Sequence, residues 1–141
     1  MREDYSLWIP IGVRWGDMDA FGHVNNAKYF TYCESSRMGW FDAIDLYSFR
    51  QEPEHGPALV TATCNFRAQV HHPATLDVGT RATRIGSKSV QLEYELYRQS
   101  DRQLVADGTS VVVWVDYKSG RAIPLPSDLV QRIRHYEGLD D

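Results

Sequence analysis

Apolar and polar residues alternate most cleanly between Ala58 and Val70. Val60, Ala62, Cys64, Phe66, Ala68 and Val70 share one face, and Thr61, Thr63, Asn65, Arg67 and Gln69 share the other. A period of two predicts a strand with one buried face. His72-Pro73 breaks the pattern, and a strand over about Leu76 to Ile85 follows, ended by Gly86. In the next strand Val90, Leu92, Tyr94 and Leu96 alternate with Gln91, Glu93, Glu95 and Tyr97. Another, from about Leu104 to Tyr117, contains Val111-Val112-Val113-Trp114-Val115. That run is apolar at every position, which predicts a central strand covered on both faces. A first strand is expected from about Leu7 to Trp15. The stretch from Asn26 to Ile44 reads as a helix, since it has no proline and Gly39 is its one weak point. Pro53, His55, Gly56 and Pro57 mark a loop after it, and Ser119-Gly120 ends the last strand. Pro126-Ser127-Asp128 then opens a short C-terminal helix with Ser127 as N-cap.

The order is strand, long helix, four long strands, short helix. Short connections among the last four strands predict a mostly antiparallel sheet. One long helix on a five-stranded sheet gives an α+β two-layer domain. At 141 residues and 16.2 kDa, residues 1–141 are expected to form one domain, because half that length supports only a marginal core. There is no internal repeat, low-complexity tract or linker. A single helix is scant cover for such long strands and points to a partner subunit.

Composition narrows the function. Apolar residues make up 43% and charged residues 24% of the chain, which excludes wholesale disorder and collagen-like repeats. No uncharged apolar run approaches the roughly 20 residues of a membrane helix. Met1-Arg2-Glu3-Asp4 is acidic, with no apolar run after it, unlike a secretory leader. A net charge of −4 argues against broad nucleic-acid binding, which needs a basic face. An anionic ligand would need a local cluster of cations. Cys33 and Cys64 lie far apart without a CxxC partner, so a reduced, cytoplasmic protein is expected.

The chemistry is concentrated in Arg14-Trp15-Gly16-Asp17-Met18-Asp19-Ala20-Phe21-Gly22-His23-Val24-Asn25-Asn26. Two carboxylates, an imidazole and two amides fall directly before the long helix. Asp, Gly and Asn are also the ordinary residues of turns and N-caps, so each taken singly has a structural reading. In combination they supply the parts for acyl transfer. The first turn of a helix presents free N–H groups and a partial positive charge to a carbonyl oxygen gaining negative charge. A carboxylate just upstream could attack that carbonyl or activate a water. The histidines have no metal-ligand spacing, and neither a phosphate-binding glycine loop nor a GxSxG elbow is present.

The segment "WGDMDAFGHVNNAKYF" resembles the signature of hotdog-fold thioesterases of the 4-hydroxybenzoyl-CoA thioesterase family. The likeness extends to the order of elements, to Glu34 and Arg37 on the helix, and to "FRAQVHHPATLDVG" and "GSKSVQLEYEL". In all it covers residues 8 to 135. The resemblance implies that Asp19, the second Asp of the G-D-x-D element, is the catalytic carboxylate, and that Asp17 braces the loop. It places the polarising backbone N–H near Asn25 and Asn26. The "HVNN" form is closer to plant acyl-carrier-protein thioesterases, where an Asp, an Asn and a His act in one segment. Those positions fall on Asp19, Phe21 and His23. Phe21 departs from the pattern, which leaves His23 as a helper. The resemblance also implies that the neighbourhood of Arg84, Ser87, Lys88 and Ser89 contributes to the CoA phosphate site; the plain reading of Gly86-Ser87-Lys88-Ser89 is a polar hairpin turn.

On the helix, Tyr29, Phe30, Cys33, Trp40, Phe41 and Ile44 form one apolar arc. Arg37 falls in its middle and Glu34 at its edge, three residues away, so the two side chains can pair. That pair is either structural, on the sheet or across a dimer seam, or it lets Glu34 orient a water at the site. Cys33 is expected to be a small core residue, because nothing beside it would activate a thiol. His71 and His72 are expected to be solvated at a turn, and His55 and His135 have no visible partner in the sequence.

The expected activity is hydrolysis of an acyl-CoA thioester to a carboxylic acid and free CoA, without a cofactor or metal, by a homodimer that pairs again into a tetramer. Asp19 acts as nucleophile or general base. Competing readings on the same fold are an acyl-carrier-protein thioesterase, a hydratase and a non-catalytic acyl-binding module.

Overall fold

The computed structural model describes residues 4–49 and 54–139. Met1, Arg2, Glu3 and Pro53, used above for the N-terminus and the loop, lie outside them. The elements are β1 (Leu7–Gly12), a 3-10 turn (Trp15–Asp17), α1 (Asn26–Ala43), a second 3-10 turn (Leu46–Phe49), β2 (His55–Phe66), β3 (Thr75–Ile85), β4 (Ser89–Arg98), β5 (Leu104–Asp116), β6 (Arg121–Ala122) and α2 (Ser127–Glu137). Every pairing is antiparallel. The sheet order is β1-β3-β4-β5-β2, with the two-residue β6 added beside β5. This is the α+β hotdog arrangement that the resemblance implies: a long helix against a curled antiparallel sheet.

Side chains explain why α1 lies where it does. Asn25 caps it by accepting the Ala27 N–H at 3.0 Å, a bond that satisfies one of the donors a helix start leaves free. Tyr29, Tyr32, Cys33, Ser36, Arg37, Trp40 and Phe41 form the buried face. Ser36 Oγ donates to the Val78 carbonyl at 3.2 Å and lies 2.5 Å from Thr80 Oγ1, a polar contact possible only because helix and sheet approach closely. Gly39, the weak point in the helix pattern, sits under β1, and a Cβ there would overlap Ile9 Cδ1. The core beneath contains Leu76 and Val78 of β3, Leu92 and Leu96 of β4, and Trp114 of β5.

Several local expectations are corrected. The helix arc omits Phe30, which is 40% exposed, and gains Tyr32 and Ser36, whose hydroxyls are hydrogen-bonded inside. β1 stops at Gly12, and Trp15 belongs to a 3-10 turn with its ring exposed. His55, Gly56 and Pro57 are strand rather than loop. The even alternation from Ala58 to Val70 does not survive. β2 skips Val60 in its register with β5, Leu59 pairing with Val112 and Thr61 with Val111, and such a bulge flips the side-chain phase. Leu59 and Val60 are accordingly 48% and 59% exposed on this edge strand. α2 takes Pro126 rather than Ser127 at its N-cap, without a side-chain cap bond.

Candidate active site

The 19–23 loop is closed on itself. The Asp19 N–H donates to the His23 carbonyl at 2.8 Å and the Gly22 N–H to the Asp19 carbonyl at 3.1 Å. Asp19 Oδ1 accepts the Phe21 N–H at 2.9 Å and the His23 N–H at 3.5 Å. Gly22 turns the chain at φ +82°, a conformation that L side chains resist. Among the described residues, Asp19 Oδ2 has no hydrogen-bond donor. The carboxylate is therefore held by one oxygen and free at the other.

Asp17 is arranged differently. It is buried, and its Oδ2 accepts the Tyr32 hydroxyl at 2.7 Å and the Arg14 N–H at 3.0 Å. Its own carbonyl accepts the Asn25 N–H at 2.9 Å. Burial opposes its ionisation, but the Tyr32 and Arg14 hydrogen bonds and the Lys28 and Arg14 charges outweigh that and hold its carboxyl below the ordinary range. The same contact, added to burial, drives the Tyr32 hydroxyl upward. Asp17 thus ties the loop to α1 with its oxygens already engaged.

A cavity of about 530 Å³ opens against this loop, lined by Asp19, Phe21, His23 and Asn26 on one side and by Tyr29, Phe66, Arg67 and Gln69 on the other. Asn26 is the first residue of α1, and among the described residues its N–H carries no hydrogen bond; the Ala27 and Lys28 N–H groups go to the Asn25 side chain and carbonyl. One free helix-start donor and one free carboxylate oxygen therefore belong to residues of the same cavity wall, an arrangement suited to polarising a carbonyl while a water or the carboxylate attacks it.

The structure brings Asp19, His23 and Asn26 together around this cavity. Asn25 stands behind them as the cap. Glu34 does not line it. Two turns further along α1, it lies 3.9 Å from the buried Arg37, with its own side chain 62% exposed. Arg37 Nη1 also donates to the Tyr94 hydroxyl at 3.2 Å. Arg84, Ser87, Lys88 and Ser89 are also absent from this wall. Met18 and the 71–74 segment meet at the Thr75 end of β3, whereas the Gly86–Ser89 turn is at its Ile85 end, about 30 Å away at strand rise. Within one chain the expected phosphate residues are remote from the expected carboxylate.

Cys33 is core, and burial pushes its thiol up to about 12; Cys64, partly buried, is pushed to about 11. His71 is exposed, as expected at a turn, but it is not idle: Nδ1 is 2.8 Å from the Gly22 carbonyl, and its ring lies 4.7 Å from that of His23. The cavity wall of Phe66, Arg67 and Gln69 carries no local sequence signal, since the end of β2 and the segment after it reach the cavity only through the tertiary fold. Among the described residues no group of three or more His, Cys, Asp or Glu is placed to hold a metal. No helix of the described residues is long and apolar enough to cross a membrane.

Residues 13–133 match the family model of the thioesterase-like superfamily. The chain belongs to that superfamily. It is 24% identical to the long-chain acyl-CoA thioesterase FadM of Escherichia coli over 90% of this chain and 96% of the relative. It is 23% identical to the chloroplastic acyl-acyl carrier protein thioesterase ATL3 of Arabidopsis thaliana, over 94% of this chain and 70% of the relative. A thioesterase of Thermus thermophilus solved with coenzyme A and Zn superimposes with a TM-score of 0.83 at 28% identity, over 97% of this chain and 98% of that one. These relatives are named as thioesterases, and this chain is accordingly a thioester hydrolase by kinship.

Proposed function

We propose that this protein is an acyl-CoA thioesterase of the 4-hydroxybenzoyl-CoA thioesterase type, with Asp19 as the catalytic carboxylate. The observation that carries the reading is the shared cavity wall of Asp19, His23 and Asn26 with its free helix-start N–H. The thioester carbonyl oxygen accepts from the Asn26 N–H. Asp19 Oδ2 takes a proton from water as the water oxygen adds to the carbonyl carbon, or adds to that carbon itself. The tetrahedral oxyanion then collapses, the C–S bond breaks, and CoA leaves as thiolate and is protonated. Hydrolysis of the acid anhydride formed on the second route restores Asp19. His23, beside the carboxylate, serves as the helper that protonates or orients.

Remote phosphate residues are reconciled by assembly. β2 is an edge strand with Leu59, Val60 and Phe66 exposed, the kind of edge that pairs with another chain. In the register of one chain, Ser89 and Ala58 both oppose Val113, so the Gly86–Ser89 turn lies towards the His55 end of β2 and the cavity lies at the Phe66 end. Pairing two β2 strands antiparallel about a twofold axis sets each chain's His55 end beside the other's Phe66 end. The partner's Arg84, Ser87, Lys88 and Ser89 then reach the side on which the Asp19 cavity opens. On this reading the unit is a homodimer with composite sites, one domain per chain over residues 1–141, and the tetramer is a pair of such dimers. Glu34, outside that cavity, is on this reading the structural partner of Arg37 rather than a group that orients water.

Carrier identity is the competing point, since ATL3 acts on an acyl carrier protein. Free-thiol release from short, medium, long and aromatic acyl-CoAs, set against the matching acyl-carrier-protein thioesters, decides it. The proposal expects faster turnover of the CoA thioesters. Turnover of carrier-protein thioesters alone would reassign the handle, and no thiol release from any thioester would leave a non-catalytic acyl-binding module.

A further inference from the structure

We infer that His71 is a positioning residue that orients Asp19 through the Gly22–His23 peptide; the inference rests on the reading of Asp19 as the catalytic carboxylate. The 19–23 loop is fastened to its neighbour segment at both ends, by the Val24 N–H on the Val70 carbonyl at 2.9 Å and by the His72 N–H on Met18 Sδ at 3.5 Å. Between those ends its tip has little packing, since Phe21 is 85% exposed and Gly22 has no side chain. The contact at the tip is His71 Nδ1, 2.8 Å from the Gly22 carbonyl. A carbonyl only accepts, so the proton is on Nδ1.

The geometry of one peptide does the rest. The Gly22 carbonyl and the His23 N–H belong to the same planar unit and point in opposite directions. Holding the carbonyl with His71 aims the N–H on the far side at Asp19 Oδ1, which it meets at 3.5 Å. The chain of contacts is His71 Nδ1–H to Gly22 C=O, then His23 N–H to Asp19 Oδ1, and each bond polarises the next. The His71 ring also lies against His23, with centroids 4.7 Å apart, so the same side chain limits where that imidazole can turn. His71 is exposed and outside the core, so its replacement tests positioning rather than folding.

The test is steady-state hydrolysis of a CoA thioester by the full chain carrying His71→Phe or His71→Asn, each alone and combined with Asp19→Asn. Phe keeps a ring against His23 and loses the donor; the Asn amide nitrogen occupies nearly the place of Nδ1. The expected result is that His71→Phe lowers kcat about tenfold with KM little changed, and that His71→Asn recovers most of the loss. In the Asp19→Asn background His71→Phe lowers kcat no further, because residues acting as one unit are not additive. The inference is overturned if His71→Phe leaves kcat unchanged, if His71→Asn is as impaired as His71→Phe, or if the loss persists in full without the Asp19 carboxylate. Failure of the underlying reading looks different: the single Asp19→Asn variant would itself turn over at the wild-type rate.

Discussion

The two aspartates of the Gly16-Asp17-Met18-Asp19 element are one residue type in two environments. Asp17 is buried with both a hydroxyl and an N–H on Oδ2; Asp19 is exposed with Oδ2 open. Asp19→Asn preserves size and the Phe21 N–H bond and removes the base. It should lower kcat about 10²-fold or more with the fold intact, read by thiol release and circular dichroism. Asp17→Asn should cost less in kcat and more in stability. Its pH signature has a definite sign. The folded carboxyl sits below its ordinary 3.8, so the ionised form stabilises the fold above that value, and the contribution disappears as pH falls through the lower folded value. Urea midpoints measured from neutral pH down past 3.8 should therefore show a steeper acid decline in the wild type than in Asp17→Asn.

At the scale of elements, α2 packs on the fold through Leu129 and Ile133 and is joined to three neighbouring segments by one carboxylate. Glu137 Oε2 accepts the Trp40 Nε1–H at 2.8 Å, the Ala82 N–H at 2.8 Å and the Ser6 hydroxyl at 3.1 Å, joining α2 to α1, β3 and the chain before β1. The register of β3 with β4 shifts between Ala82 and Arg84, next to the Ala82 N–H that Glu137 satisfies. Glu137→Ala strands that amide and the buried indole N–H, and should destabilise the protein by about 1–3 kcal/mol with little change in KM, read by chemical denaturation. Close approach matters between strands as well. A Cβ at Gly108 would overlap the Thr63 carbonyl of β2, so Gly108→Ala should push β2 off β5 and weaken any assembly built on the β2 edge.

For the molecule as a whole, an unpaired edge and a divided site point to the same assembly. The protein should have a dimer mass or a multiple of it by light scattering at micromolar concentration; a stable monomer would remove the composite site. Lys88→Ala should raise KM for acyl-CoA more than it lowers kcat, since phosphate contacts far from the carbonyl bind substrate and transition state alike. A pantetheine thioester lacking the nucleotide should be much less affected. Equal losses on both substrates would mean that Lys88 acts on structure.

What the chain determines by itself is what depends on neighbours in sequence. The start of α1 at Asn26 and the meeting of Asp19, His23 and Asn26 were legible because eight positions and one turn hold them, whereas the structure gives Asn25 the role of cap. The four long strands were legible as elements because period-two alternation is local. Tertiary structure decided what depends on register. The skipped pairing at Val60 redirects the exposed face of β2. The opposite cavity wall comes from Phe66 at the end of β2 and from Arg67 and Gln69 just after it, 40 or more residues beyond Asp19, and His71 finds the Gly22 carbonyl from 49 residues away. Glu34 and Arg37 pair as their spacing implies, yet helix length alone separates them from the Asp19 cavity. The Arg84–Ser89 cations lie at the far end of a strand, so no reading of one chain could join them to the carboxylate. Hydrogen-bond register and close packing between distant segments fix such contacts, and neither leaves a periodic trace in the order of residues.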